Sequence, residues 1–121
     1  MRAYELMVII AADLDDGGTD TALARIDEQV AARGGTIASL DRWGKRRLAY
    51  EIDHRHEGFY AVYEIVTEGG GLGDIERQLR LADDVVRHKL IRLPDSEVAR
   101  RGLGTGRAPA TAAQQRGAND G

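Results

Sequence analysis

The 121-residue sequence predicts an α+β domain of the split βαβ type, in which a four-stranded antiparallel sheet carries two helices on one face. Three observations lead to this fold class. Segments of strand character and of helical spacing follow one another in the order strand, helix, strand, strand, helix, strand. Polar or glycine-containing breaks separate these segments. The two middle strands are joined by one short polar turn, which predicts a hairpin.

The first strand is predicted over residues 3–11, where apolar residues follow one another almost without interruption. Both of its faces are apolar: one carries Tyr4, Leu6, Val8 and Ile10, and the other carries Met7 and Ile9. Such a strand is typical of the middle of a sheet with a cover on each side.

A helix is predicted after the polar turn at residues 13–18, with Thr19 or Asp20 as its N-cap. Its apolar residues follow helical spacing, and they are Ala22, Leu23, Ile26 and Val30. The glycine pair at residues 34–35 is expected to end it.

The hairpin is predicted to consist of a strand over residues 36–52, a polar turn over residues 53–58 and a strand over residues 59–66. Gly44 marks either a bend or a bulge in the first of these strands. The second strand is apolar on both sides. One side carries Phe59, Ala61, Tyr63 and Ile65, and the other carries Tyr60 and Val62 with Glu64.

A second helix is predicted after the break at residues 68–73, with Asp74 as N-cap and an apolar stripe of Ile75, Leu79 and Ala82. The fourth strand is predicted over residues 85–93, and Pro94 closes the domain at residues 1–94. Residues 95–121 contain no aromatic residue, and we expect a tail that is disordered until something binds it.

Composition excludes several classes of site. The chain has no cysteine, so disulfides, thiol catalysis and thiolate metal sites are excluded. His54 and His56 lack a third ligand, and the chain has two serines, so we predict no catalytic site, metal site, cofactor or small-molecule substrate. No apolar run approaches the roughly 20 residues of a membrane span, and no signal peptide is recognisable, so we expect no membrane contact and a cytoplasmic binding module.

The chain concentrates positive charge in residues 41–52. The cations there are Arg42, Lys45, Arg46 and Arg47, and they flank the lone Trp43. Cations on a rigid strand beside an indole suit a nucleic-acid backbone, with the tryptophan available for stacking. The alternative is a charged edge strand that is protected against aggregation. Because the formal net charge is −3, nucleic-acid contact would come from this local patch.

The predicted layers leave one sheet face without helices. Apolar residues nevertheless lie on that face, namely Met7, Ile9, Tyr60 and Val62. An uncovered apolar patch of this kind indicates a partner site, although an open sheet also tolerates a few apolar residues.

Four segments carry a family resemblance: residues 1–5 (MRAYE), 43–52 (WGKRRLAYEI), 58–60 (GFY) and 79–88 (LRLADDVVRH). In this order and spacing, residues 1 to 93 resemble the S6 family of bacterial small-subunit ribosomal proteins. The resemblance implies a ferredoxin-like fold and a structural, non-enzymatic role in the small ribosomal subunit. It also implies binding to the central domain of the small-subunit ribosomal RNA, as a heterodimer with the ribosomal protein S18.

The resemblance implies site residues as well. The candidates for RNA contact are Arg2, Lys45, Arg46, Arg47, Arg80 and Arg87. The candidates for partner contact on the exposed sheet face are Tyr60, Val62, Met7 and Trp43. Glu51 stands where the family usually has proline, and Asp53 and Glu57 follow closely, which favours RNA binding that depends on a basic partner.

A second hypothesis from a different class is a small ferredoxin-like enzyme or ligand-binding regulator that self-associates through the open sheet face. It predicts a homodimer with a polar pocket between the sheets. The sequence offers this hypothesis no convergent acid, base or nucleophile.

Overall fold

The structure is a computed structural model, and it describes residues 1–52, 54–69 and 72–103. The elements are β1 (Arg2–Ala11), α1 (Asp16–Ala32), β2 (Thr36–Ile52), β3 (Arg55–Thr67), α2 (Leu72–Leu81), β4 (Val85–Arg92) and α3 (Asp95–Arg101). All strand pairings are antiparallel, and the strand order in the sheet is β2-β3-β1-β4. The predicted fold class is therefore confirmed, with β1 and β3 in the middle of the sheet.

The core lies between the sheet and the two helices α1 and α2. Its largest fully buried side chains are Tyr63, Leu6, Ile10, Ile26, Ile65, Val8 and Val30. Burying each such aliphatic side chain contributes about 1.5–3 kcal/mol. The buried hydroxyl of Tyr63 is satisfied because it donates to the Leu23 carbonyl of α1 at 3.1 Å, and burial raises the pKa of Tyr63.

Helix α1 begins at Asp16, before Gly17 and Gly18, which the sequence analysis placed in the preceding turn. Asp15 is the N-cap, and its Oδ1 accepts a hydrogen bond from the Gly18 backbone N at 2.7 Å. The prediction that Thr19 or Asp20 is the cap was wrong. Glycine disfavours a helix interior, but in the first turn the backbone N–H groups lack intrahelical partners, and the Asp15 carboxylate satisfies one of them.

Helix α2 also begins earlier than predicted, at Leu72, so Asp74 lies in its first turn and is not its cap. Leu72 is buried together with Ile75 and Leu79. Burial of this additional apolar residue extends the helix into what the sequence presents as a glycine-rich break.

Strand β2 leaves regular pairing with β3 at three places, between Ile37 and Ser39, between Arg42 and Gly44, and between Arg47 and Ile52. The second irregularity confirms a bulge at Gly44, which has a φ of 87°. The third takes residues 48–51 out of the ladder. Strand β3 starts at Arg55, so most of the predicted turn over residues 53–58 is strand.

Residues 95–101 correct the predicted domain boundary, because they form helix α3 and not a disordered tail. Val98 and Leu103 are buried against Ala3 and Leu93 in a second apolar cluster. Ala3 lies on the face of β1 opposite to the core, so α3 packs on the sheet face that α1 and α2 leave open. Residues 104–121 lie outside the described residues, and their disorder stays a prediction.

A group of ionic contacts holds α3 on the sheet. The Arg101 guanidinium donates to Glu64 at 2.8 Å, to Glu5 at 3.2 Å and to Glu97 at 2.6 Å. Arg100 also bonds Glu97. These hydrogen bonds from Arg100 and Arg101 lower the pKa of Glu97 from 4.5 to about 2.

We expect acid to loosen α3 before it unfolds the core. Because the folded-state pKa of Glu97 is depressed, its contribution is fully present above about pH 4.5 and is lost as the pH falls towards about 2. The N–H of Leu103 donates to the Val98 carbonyl, and its protection factor, the intrinsic exchange rate divided by the observed rate, should fall over this range. Exchange at Val8 in the core serves as the control. Equal protection of Leu103 at pH 5 and pH 3 would contradict this expectation.

Candidate nucleic-acid and protein interface

The sheet face opposite α1 and α2, here called the open face, carries residues of all four strands. Strand register places Asp41, Val62, Met7 and Lys89 in one row across it. The next row contains Gly44, Tyr60, Ile9 and Arg87. The open face therefore joins apolar residues of β1 and β3 to cations of β4.

Trp43, the extra residue of the β2 bulge, lies against Tyr60. Their rings are stacked, with 6.2 Å between centroids and 8° between planes. The Trp43 Nε1 donates to Asp41 at 2.9 Å, and the Arg46 guanidinium lies 5.6 Å from the Trp43 ring centroid. Trp43 remains 45% exposed, so part of a ring that these contacts hold in place is accessible to solvent beside a cation.

The four predicted partner-contact residues lie together on this face, and we call them the apolar strip: Met7, Trp43, Tyr60 and Val62. Their role stays a prediction. At one end of the strip, α3 covers Ala3. The apolar strip therefore does not extend along the open face as far as Ala3, because α3 occupies that end.

Ile9, at the other end of the strip, was wrongly predicted to be uncovered. It is 4% exposed, and the nearby Leu48 is 7% exposed. Residues 48–51 leave the ladder and bring Leu48 over Gly58, beside Ile9. Gly58 permits this approach because a Cβ there would lie within 3.0 Å of Ile9 Cγ2.

The cationic triplet of β2 straddles the sheet. Lys45 and Arg47 pair with Phe59 and Glu57 and point to the helix side, whereas Arg46 pairs with Gly58 on the open face. The bulge at Gly44 therefore does not bring all three onto one face. Because β2 is an edge strand, however, their long side chains border the same edge, and we call them the basic edge.

The other three predicted RNA contacts do not join the basic edge. Arg2 pairs with Thr67 at the far end of the sheet, and Arg80 lies on α2. Arg87 lies on the open face opposite Ile9. The six cations therefore occupy separate regions of the surface, and their role in RNA contact stays a prediction.

The predicted RNA-contact residues differ from most other arginines in their ionic partners. Among the described residues, none of the six has a carboxylate within 4.0 Å. By contrast, Arg42 pairs with Asp20 at 2.7 Å, and Arg25 pairs with Asp84 at 2.6 Å. A cation without a partner can bind phosphate without first breaking an ion pair, although a protective edge charge would also be unpaired.

Two open-face residues of β4 escaped the sequence analysis. Lys89 pairs with Met7, and Ile91, which is 42% exposed, pairs with Glu5. The available signal was their period of two with Arg87, but the imperfect alternation of β4 obscured it.

The described part of the chain offers neither a metal cluster nor a membrane-spanning helix. In residues 1–52, 54–69 and 72–103, no three histidine, aspartate or glutamate side chains are grouped so as to hold a metal ion. No helix in this part of the chain is both long and apolar enough to cross a bilayer.

Comparisons with known proteins agree on one family. The family model described as ribosomal protein S6 matches residues 3–92. The small ribosomal subunit protein bS6 of Symbiobacterium thermophilum is 44% identical over 92 residues, covering 76% of this chain and 97% of that protein. The bS6 protein of Acidothermus cellulolyticus is 41% identical over 96 residues, with coverage of 79% and 99%.

A solved structure agrees with the sequence comparisons. The crystal structure of 30S ribosomal protein S6 from Thermotoga maritima superposes with a TM-score of 0.77 at 30% identity. The match covers 84% of this chain and 95% of that one.

Proposed function

Because the chain belongs to the ribosomal protein S6 family, we propose that it binds the central domain of small-subunit ribosomal RNA jointly with the ribosomal protein S18. Family membership makes the chain a ribosomal protein of the small subunit, in the cytoplasm, and a structural component, not an enzyme. The alternative of a self-associating enzyme or regulator has no such support.

The observation that carries the proposal is the contact between the basic edge and the apolar strip. Arg46 belongs to the edge, Trp43 belongs to the strip, and the guanidinium lies over the indole. RNA bound along the edge and a protein bound on the strip would therefore be immediate neighbours. Exposed tryptophan, tyrosine and arginine side chains are also the types enriched at interface hot spots.

Charge on the open face supports a basic protein partner. Asp41, Glu5 and Glu64 lie on this face, and the formal net charge of the chain is −3. A guanidinium already fits Glu5 and Glu64, because Arg101 binds both. Glu5 and Glu64 share this one guanidinium with Glu97, and Asp41 accepts only from the neutral Trp43 indole among the described residues, so negative charge remains on this face. A basic partner would gain from that charge and would also offset its repulsion of RNA.

We expect S18 to raise the affinity of the chain for central-domain RNA, and the variant Val62→Arg to remove at least about tenfold of that gain. The reason is that Val62 lies within the apolar strip, where a long cationic side chain would remove apolar contact with the partner and repel a basic protein. Binding is measured by filter retention over a salt series, with and without S18.

The matched control is Leu81→Arg, which adds the same charge at a 72% exposed apolar residue of α2. It should leave the gain intact. If S18 does not raise the affinity of the wild-type chain, joint binding is refuted. If the two variants behave alike, the strip is not the partner site.

A further inference from the structure

A cleft of about 400 Å³ lies at the hairpin end of the open face and overlaps the apolar strip, with which it shares Met7 and Tyr60. Its lining includes Met7, Ile9 and Tyr60 of the sheet, together with residues 48–50 and Ile52 of β2. Across from them, β4 contributes Arg87 and Lys89. Its volume falls within the range of about 300–1,000 Å³ that is usual for small-ligand sites.

The charge of the cleft has one sign. Arg87 and Lys89 have no carboxylate within 4.0 Å among the described residues, and no described carboxylate lines the cleft. His88, between them in sequence, also contributes to the lining, but it pairs with the core residue Val8, and its Nε2 lies 3.5 Å from Glu76. The cleft is therefore complementary to an anion.

The remaining lining suits a flat apolar body. Ile9 and Leu48 are buried beneath the cleft, Tyr60 belongs to the sheet, and Tyr50 is 66% exposed. An exposed phenol ring beside an apolar surface is a surface on which an unpaired base stacks. Arg87 and Lys89 are two residues apart on one strand and point to the same face, so they are neighbours along the cleft.

We propose that this cleft binds one unstacked nucleotide of single-stranded RNA, with the base on the apolar lining near Tyr50 and the phosphate on Arg87 and Lys89. The inference rests on the proposed function and adds to it a site and a ligand class. It places an RNA contact on β4, on the opposite sheet edge from the basic edge.

Charge also separates this ligand from a protein segment. The basic partner that would gain from Glu5 and Glu64 is repelled by Arg87 and Lys89. The two ends of the open face therefore select opposite charges, a polycation near α3 and a polyanion at the hairpin.

The test uses the full chain and a short unstructured RNA oligonucleotide of mixed sequence that carries 4-thiouridine. We expect a crosslink to Tyr50. Tyr50→Ala should weaken oligonucleotide binding roughly tenfold, the equivalent of one lost base stack. The pair Arg87→Gln and Lys89→Gln should reduce the salt slope by about 0.7, the contribution of one single-strand phosphate.

The matched control is the pair Arg77→Gln and Arg92→Gln, two exposed cations that do not line the cleft. These variants should bind the oligonucleotide like the wild type. Tyr50 is exposed, so its replacement should not affect folding, and thermal unfolding verifies this.

Three outcomes would overturn the inference. The first is that Tyr50→Ala binds the oligonucleotide as the wild type does and that the wild-type chain shows no crosslink at Tyr50. If the wild-type chain still binds central-domain RNA with S18 in that case, the proposed function survives. The second is an equal loss in the control pair, which would indicate only diffuse charge. The third is that Tyr50→Ala weakens S18 binding without RNA as strongly as it weakens oligonucleotide binding, which would make the cleft a protein site. If S18 does not raise the affinity of the wild-type chain for central-domain RNA, the proposed function itself is refuted.

Discussion

The triple variant Lys45→Glu, Arg46→Glu, Arg47→Glu is expected to lose about 100-fold or more in affinity for central-domain RNA measured with S18 present at low salt. Each of these side chains is exposed and has no carboxylate partner among the described residues, so each is available to a phosphate. Reversal removes three attractions and adds three repulsions along the edge of the sheet.

The salt dependence gives a second, independent readout. Three phosphate contacts contribute about 2.7 to the slope of log affinity against log salt on duplex RNA, if each contributes about 0.9 as in B-form DNA. The slope of the triple variant should fall by about this amount. Titrations at four salt concentrations by filter binding would measure it.

The control reverses three other exposed cations, Arg33, Arg77 and Arg92, which changes the net charge equally. If the two triple variants lose the same affinity, the basic edge has no special role. If the β2 variant keeps its affinity and slope but aggregates, then the charge protects the edge strand, which is the alternative that the sequence left open.

Replacing Gly58 with alanine is expected to destabilise the fold by about 1–3 kcal/mol, the usual cost of overpacking a well-packed site. The added methyl group would lie within 3.0 Å of Ile9 Cγ2 and 3.6 Å from Leu48 Cδ2. Ile9 is buried and cannot move aside cheaply. For a domain of this size the melting temperature should fall by roughly 4–8 °C per kcal/mol.

Gly73→Ala is the matched control. It makes the same substitution in α2, where no described atom outside the two neighbouring residues and the helix backbone lies within 4 Å of the new methyl group. Alanine should stabilise the helix slightly. Ile9→Ala supplies a double-mutant cycle, since its own cost should be smaller in the Gly58→Ala background. Additive costs in the cycle, or a neutral Gly58→Ala, would show that the contact is not the cause.

Much of the fold was predictable because two sequence patterns agree: the order of strand and helix segments, and the alternation of apolar residues within the strands. In β1 and β3, alternation at a period of two correctly grouped the residues that meet α1 and α2, such as Leu6 and Tyr63, apart from those of the opposite face, although both faces are apolar. The starts of α1 and α2 were not predictable in the same way. They depend on the Asp15 cap and the burial of Leu72, which override the low helix propensity of nearby glycines.

The candidate site was predictable in composition but not in arrangement. Alternation correctly placed Met7, Tyr60 and Val62 on the open face. It could not show that Leu48 covers Ile9, because that contact depends on four residues leaving the ladder. Helix α3 was missed because Val98 and Leu103 are isolated apolar residues in a polar segment. Their packing against Ala3 is visible only in the folded structure.

The contact between Glu5 and Arg101 joins residues that are 96 positions apart. Since translation proceeds from the N-terminus, β1 is made first, yet its neighbour β4 and the arginine that binds Glu5 are made near the end. The nascent chain must therefore carry an unfinished central strand while most of the protein is synthesised. The sheet of this ribosomal protein is thus complete only once β4 has emerged from the ribosome that makes it.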